Sequence, residues 1–347
     1  MSQNEDTNQK SPTETHDLGW GFPIDSIIKE EKPEAPPAEI HYDEKPAPPP
    51  DDIVGSFITL PKHEKVSAPI NYTTLVVSGG STKGNIALGC LQYAWDQAYL
   101  DHVKTYVGTS IGSAITYLMA IGYSPREVMV YLCVNHVGAE FKHYNLAKVV
   151  NGEGAFSFDI IGKHMEKLTL DRCGRFFTLK DIYDIFGKKL IFPTYNMTKG
   201  CKEYLSIDTY PELPALIGVK MSSILPLIFE KFKYMGSTYI DGGIAANFAV
   251  EVANKPGEKV LGINMLPKQV GLSHEEENDM LSYINHIMFT PVLELIKNQM
   301  EKKGENCDII QIIHKEANPL DFDLETKEKL TLFSKGYRHA KKFFEEL

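Results

Sequence analysis

Two short apolar runs constrain this chain more than any other feature. Each leads into small residues and then into helical periodicity, and the two units together span about fifty residues. Thr73-Thr74-Leu75-Val76-Val77 is β-branched and apolar throughout, as suits a parallel strand buried on both faces. Ser78-Gly79-Gly80-Ser81-Thr82-Lys83-Gly84 follows, and then Ile86, Leu88, Leu91, Trp95 and Ala98 at helical spacing. Thr105-Tyr106-Val107 starts the second unit. Gly108-Thr109-Ser110-Ile111-Gly112 follows it, and then a helical run from Ala114 to Met119 that Gly122 stops. Strand, turn and helix twice in succession open an α/β sheet.

The rest of the chain fits that start. Residues 125–190 read as mostly helical with aromatic interruptions. Lys189–Tyr195 and Tyr204–Ile207 read as strands joined by a turn at Lys199-Gly200, and residues 213–225 as a helix ended by Pro226. Thr238-Tyr239-Ile240 is a short strand leading into Asp241-Gly242-Gly243. Further strands are expected at Val260–Met265 and Asp308–Ile313, and helices over residues 276–303 and 325–346. There is no internal repeat.

Order is expected to begin late. Residues 1–68 are expected to form a disordered, Pro-rich, acidic leader, and residues 69–347 one folded domain. Nine of the 20 prolines lie in the first 50 residues. Residues 1–52 hold 13 acidic side chains and 4 lysines, so nearly all of the net charge of −10 belongs to the leader. Such a segment buries too little apolar surface to offset its ordering entropy. Within it, Leu18, Trp20, Phe22, Ile24, Ile27 and Ile28 break the pattern. They offer a docking motif at residues 18–28 for a protein partner or for the chain's own surface. The near-neutral remainder lacks the basic bias of a nucleic-acid binder.

The five cysteines, Cys90, Cys133, Cys173, Cys201 and Cys307, show no CxxC spacing, so no zinc or redox motif is expected. No secretory signal and no apolar run of transmembrane length is legible. We expect a cytoplasmic protein that meets membranes, if at all, from the aqueous side. Phe141, Tyr144, Phe156 and Phe158 are candidate exposed aromatics for that contact.

Gly108–Gly112 matches G-x-S-x-G. Small residues two positions either side of a serine permit a tight strand-to-helix turn, which projects the hydroxyl at the end of a sheet. By composition alone the pattern arises in roughly one chain in seven of this length, so its place between strand and helix matters. The loop at 78–84 matches neither a Walker A nor a dinucleotide fingerprint. Its successive backbone N–H groups suit a phosphate or the oxyanion of an ester intermediate. Asp241-Gly242-Gly243 also ends a strand, and sites in open α/β sheets gather at the carboxyl ends of strands.

Together these blocks resemble the patatin-like phospholipases, lipid acyl hydrolases with a serine–aspartate dyad. Gly79-Gly80-Ser81-Thr82-Lys83-Gly84 is similar to that family's G-G-G-x-[RK]-G loop, and Gly108-Thr109-Ser110-Ile111-Gly112-Ser113 to its nucleophile turn. Met221–Phe229 resembles its A-S-x-x-x-P-x-x-F block. Asp241-Gly242-Gly243 with Asn247 resembles its D-G-[GA] motif, and Gly336–Ala340 its final helix. The blocks fall in family order. The resemblance implies a three-layer α/β/α fold with a mainly parallel central sheet. It implies no metal, no cofactor and no catalytic histidine.

Under that resemblance Ser110 is the nucleophile and Asp241 the base. Backbone groups of Gly79, Gly80, Ser81 and Thr82 form the oxyanion hole, while Lys83, Gly84, Gly108, Gly112, Gly242 and Gly243 support the motifs. The substrate is a lipid or phospholipid met at a transient membrane surface. Ser81 departs from the pattern by replacing the third loop glycine, which costs conformational energy if φ is positive there. Lys83 reads as a loop anchor or a head-group contact. Two other readings stay open. One is a Ser–Asp–His esterase with His314 as base. The other is a weak or inactive fold that serves as a binding protein. His102, His136 and His143 read as structural.

Overall fold

The computed structural model describes residues 70–135, 137–138, 141, 154–267, 280–301, 303–314 and 324–347. The chain divides after Ser67 into two units, and every described residue belongs to the second. The leader motif at residues 18–28, Tyr144, His136 and His143 lie outside the described residues.

Strand β1 (Thr74–Val77) is buried at all four positions, as its unbroken apolar run requires. A single 3-10 turn over Ser81–Lys83 leads into α1 (Gly84–Asp96). Strand β2 (Thr105–Gly108) and α2 (Ile111–Ala120) repeat the unit. Helix α1 stops two residues short of Ala98, which takes a positive φ of 60°. Ser124 and Glu127 form a reciprocal cap on α3 (Pro125–Val134), with Pro125 in the first turn, where a missing N–H costs nothing. Helices α4 (Asp159–Cys173) and α5 (Leu179–Phe186) both end on left-handed glycines, Gly174 and Gly187.

The remaining elements are β3 (Lys189–Asn196), β4 (Cys201–Ser206), α6 (Ala215–Ser223), β5 (Phe232–Tyr234), β6 (Ser237–Asp241), α7 (Gly243–Ala246), β7 (Val260–Pro267), α8 (Met280–Glu301), β8 (Cys307–His314) and α9 (Thr326–Glu345). Strand β5 has no counterpart among the sequence expectations. Its alternation is only three residues long, too short to read as a strand.

Among the described residues the sheet has eight strands. Its ladder runs β5-β6-β3-β2-β1-β7-β8, with β4 also on β3. Pairing is parallel from β3 through β2, β1 and β7 to β8. It is antiparallel where β3 meets β4 and β6, and where β5 meets β6. Val76, Val107, Ile191, Val260 and Ile309 pack on one face with Ala246, Phe248, Val250 and Met300. Leu75, Tyr106, Leu190 and Leu261, of opposite parity, are equally buried. Both faces are therefore covered, as a mainly parallel α/β/α sheet demands.

Strand β3 organises the centre. Ile191 pairs with Val107 of β2 and with Ser206 of β4. Thr194 pairs with Asp241 of β6 and with Glu203 of β4. A strand has two edges, so β4 takes one while β2 and β6 share the other, end to end. Strand β2 runs parallel to β3 and β6 antiparallel to it. Their carboxyl ends therefore meet beside residues 191–194, and the turn after Gly108 comes to face Asp241.

Candidate active site

Ser110 sits on the turn from β2 to α2 at φ 54° and ψ −126°. A non-glycine residue in such a region typically costs about 1–3 kcal/mol. The neighbouring contacts hold it there. The Gly112 N–H donates to the Thr109 carbonyl at 2.8 Å, and the Ser113 hydroxyl donates to the Ser110 carbonyl at 2.6 Å. The turn leaves no room at its ends. A Cβ at Gly108 would lie 2.2 Å from Thr116 Oγ1, and one at Gly112 would lie 2.3 Å from the Val77 carbonyl. These close approaches are the physical reason for glycine on either side of the serine.

Ser222, fully buried on α6, accepts from the Ser110 N–H at 3.2 Å and donates to the Pro193 carbonyl at 2.6 Å. Thr194 donates from its hydroxyl to the Met221 and Ile240 carbonyls at 2.8 and 3.0 Å. The end of α6 is thus pinned between the Ser110 turn and β3.

Asp241 ends β6 and is 3% exposed. Burial pushes its carboxyl up to about 6, while hydrogen bonding from the Ser110 hydroxyl and the Gly243 N–H pulls the other way. The Gly243 N–H reaches Asp241 Oδ1 at 2.6 Å. The structure therefore brings Ser110 and Asp241, far apart in sequence, together at the carboxyl ends of two abutting strands.

The glycine-rich loop closes a third side. The Gly79 N–H donates to the Asn247 carbonyl at 3.2 Å, so Gly79 is tied down structurally. A Cβ at Gly79 would lie 2.4 Å from Asn247 Oδ1 and 3.1 Å from Ser110 Cβ, which places this loop directly against the serine. The N–H groups of Gly80 and Thr82 have no acceptor among the described residues, so both are free to bind an anion. Ser81 has φ 50°, the conformation that favours glycine and in which serine is strained by about 1–2 kcal/mol. Lys83 is buried and its ammonium is pushed down to about 8 by burial. No carboxylate pairs with it among the described residues.

Other sequence expectations land elsewhere. Phe141 and Phe158 are buried at 8% and 2% exposure. They pack edge to face with Phe156 and Phe229, so they are not exposed aromatics for a membrane. His314 ends β8 at the sheet edge, three strands from β2, or roughly 14 Å at normal strand spacing. A cavity of about 590 Å³ is lined by Thr74, Lys104, Thr105 and Lys189. It lies at the amino ends of β1 to β3, the opposite end of the sheet from Ser110. Among the described residues no group of three or more His, Cys, Asp or Glu is placed to hold a metal, and no helix is long and apolar enough to cross a membrane.

The site is thus a buried aspartate beside a serine on a strained turn, with a glycine loop against the serine. The model of the patatin-like phospholipase family matches residues 75–254, and the chain belongs to that family. It is 30% identical over 283 residues to "Probable lipid hydrolase 463L" of Invertebrate iridescent virus 6, covering 78% of this chain and 89% of that one. It is 24% identical over 283 residues to the uncharacterised protein R571 of Acanthamoeba polyphaga mimivirus, covering 77% and 92%. VipD from Legionella pneumophila shares the fold at a TM-score of 0.52 and 17% identity, over 81% of this chain and 68% of that chain. Membership of this family supports lipid hydrolysis.

Proposed function

We propose that the protein is a serine lipid acyl hydrolase of phospholipase A type, acting on carboxylic esters through a Ser110–Asp241 dyad. The observation that carries this reading is the Asp241 carboxyl, buried beside Ser110 and poised near 6. Ser110 Oγ attacks the ester carbonyl while its proton passes to Asp241. The carbonyl oxygen becomes an oxyanion, held by the N–H groups of Gly80 and Thr82 and by the amino end of α2. The intermediate collapses, and the leaving alcohol takes the proton from Asp241. Water then attacks the acyl-enzyme, again giving its proton to Asp241. Ser110 is regenerated and a free fatty acid departs.

Aspartate is ordinarily too weak a base for this work. Raising it to about 6 keeps it ionised at neutral pH while strengthening its pull on a proton. A histidine is not needed in this scheme. His314→Ala is expected to keep activity, whereas a triad enzyme would lose it. Fatty-acid release from phospholipid micelles tests the reading. Ser110→Ala and Asp241→Asn should each lower it by at least about 10³-fold, and release undiminished in either variant would refute it.

One observation favours a second reading, a catalytically weak member of the fold acting as a binding protein. It is the positive φ at Ser81. If that strain displaces the loop, Ser81→Gly should raise turnover several-fold. On the hydrolase reading, turnover changes little.

A further inference from the structure

Two β-hairpins point from the sheet in the direction that the parallel strands run. Strands β3 and β4 close through residues 197–200, and β5 and β6 close through Met235-Gly236. The two tips are neighbours, since the Met197 N–H donates to the Thr238 carbonyl at 2.8 Å. From Asp241 the strand β6 runs back four residues to Ser237 before its turn, so the tip stands roughly 15 Å beyond Asp241.

Both tips carry an exposed methionine. Met235 is 87% exposed and Met197 53%. Met235 is also the wrong residue for its turn. The two central residues, Met235 and Gly236, have φ 46° and 78°. A two-residue loop of that kind prefers Asn, Asp or Gly at its first position. Methionine there gains no packing within the described fold and strains the turn. Lys231 and Lys233 are exposed on the same hairpin and have no ion-pair partner among the described residues, whereas Lys199 and Lys202, which flank Met197, pair with Glu203 at 2.9 Å and Glu251 at 3.4 Å. Lysines on the edge strand β5 also guard against sheet-to-sheet association, but that purpose explains neither methionine.

We propose that these two tips, Met197 and Met235 set beside Lys231 and Lys233, are the surface through which the protein seats on an anionic lipid bilayer. This rests on the hydrolase reading, for it brings the end of the sheet that carries Ser110 toward the substrate. The methionines enter the headgroup boundary, where flexible thioether side chains adapt to an irregular surface. The lysines meet anionic headgroups, an attraction that salt screens.

The test uses the full chain and vesicles of phosphatidylcholine with about a third phosphatidylserine. Binding is read by co-sedimentation in a Ser110→Ala background, so that the vesicles are not consumed. The paired variant Met197→Gln/Met235→Asn is expected to bind at least tenfold more weakly. Asn suits the turn, so the melting temperature should hold or rise, and lost binding then cannot be unfolding. In the Ser110-containing chain, the same pair should cleave a soluble short-chain p-nitrophenyl ester within twofold of the native rate. Lys231→Gln/Lys233→Gln should weaken binding to these vesicles and leave binding to pure phosphatidylcholine unchanged. Unaltered vesicle binding by the methionine pair overturns the proposal and makes the tips a protein contact. Absence of vesicle binding by the native tips overturns it too. If no ester is cleaved by the native chain, the hydrolase reading fails, while the vesicle arm still judges the docking surface by itself.

Discussion

At the scale of single residues, the site concentrates its cost on Asp241. Its carboxyl lies near 6 in the fold, against about 4 in an unfolded chain. A raised carboxyl favours the folded state when it is protonated. That stabilisation is complete below about pH 4 and is lost as the pH rises through about 6. Above that the fold carries a buried carboxylate at a cost on the order of 3 kcal/mol. Asp241→Asn should therefore raise urea stability at pH 8 by about 2–3 kcal/mol and change it far less at pH 4, while abolishing turnover. Equal stability of the two proteins at pH 8 would show that burial imposes no such penalty. On the proposed mechanism the same proton governs the rate. Protonated Asp241 cannot accept from Ser110, so kcat/KM should climb up to about pH 6 and level off above it. A profile that instead climbs through pH 8 would point to another base.

At the scale of elements, backbone proximity does much of the positioning. Gly112→Ala would drive a Cβ to 2.3 Å from the Val77 carbonyl, between β1 and the nucleophile turn. It should cost about 3 kcal/mol, the upper end for overpacking, and remove Ser110 reactivity, as denaturant titration and turnover would show. Helices α1 and α9 also cross through paired glycines. A Cβ at Gly89 would meet the Phe333 carbonyl at 2.0 Å, and one at Gly336 the Ile86 carbonyl at 2.0 Å. Gly336→Ala should lower the urea midpoint while leaving the rate per folded molecule unchanged. If turnover fell but stability held, α9 would be acting on the site rather than bracing the fold. Strands β1 and β2 and their following helices were legible because apolar runs and small-residue turns are local. That the ends of β2 and β6 gather was an expectation of the motifs, but that β6 arrives antiparallel and abuts β2 along one edge of β3 was not legible, for it depends on which edge of β3 each strand takes. Ser222 and Thr194 were missed as supports for the same reason. A lone buried hydroxyl has no periodic signature, and only its partners, the Ser110 N–H and the Pro193, Met221 and Ile240 carbonyls, disclose its role.

At the scale of the whole molecule, chemistry and charge are segregated. The proposed dyad, the glycine loop and the hairpin tips lie toward the carboxyl end of the parallel strands. Along the sequence, residues 1–52 of the leader carry −9 of the net charge of −10. We propose that this leader is dispensable for the chemistry: a chain beginning at Ala68 should cleave a soluble ester within about twofold of the full-length rate. A large loss would assign the leader a part in the site. The most direct test of the proposed dyad is labelling of the full chain with a fluorophosphonate, followed by peptide mapping by mass spectrometry. An activated serine with working oxyanion donors predicts a single adduct, on Ser110, that disappears in Asp241→Asn. An unlabelled Ser110, in the presence of detergent micelles or vesicles, would contradict the assignment and leave the fold to a binding role.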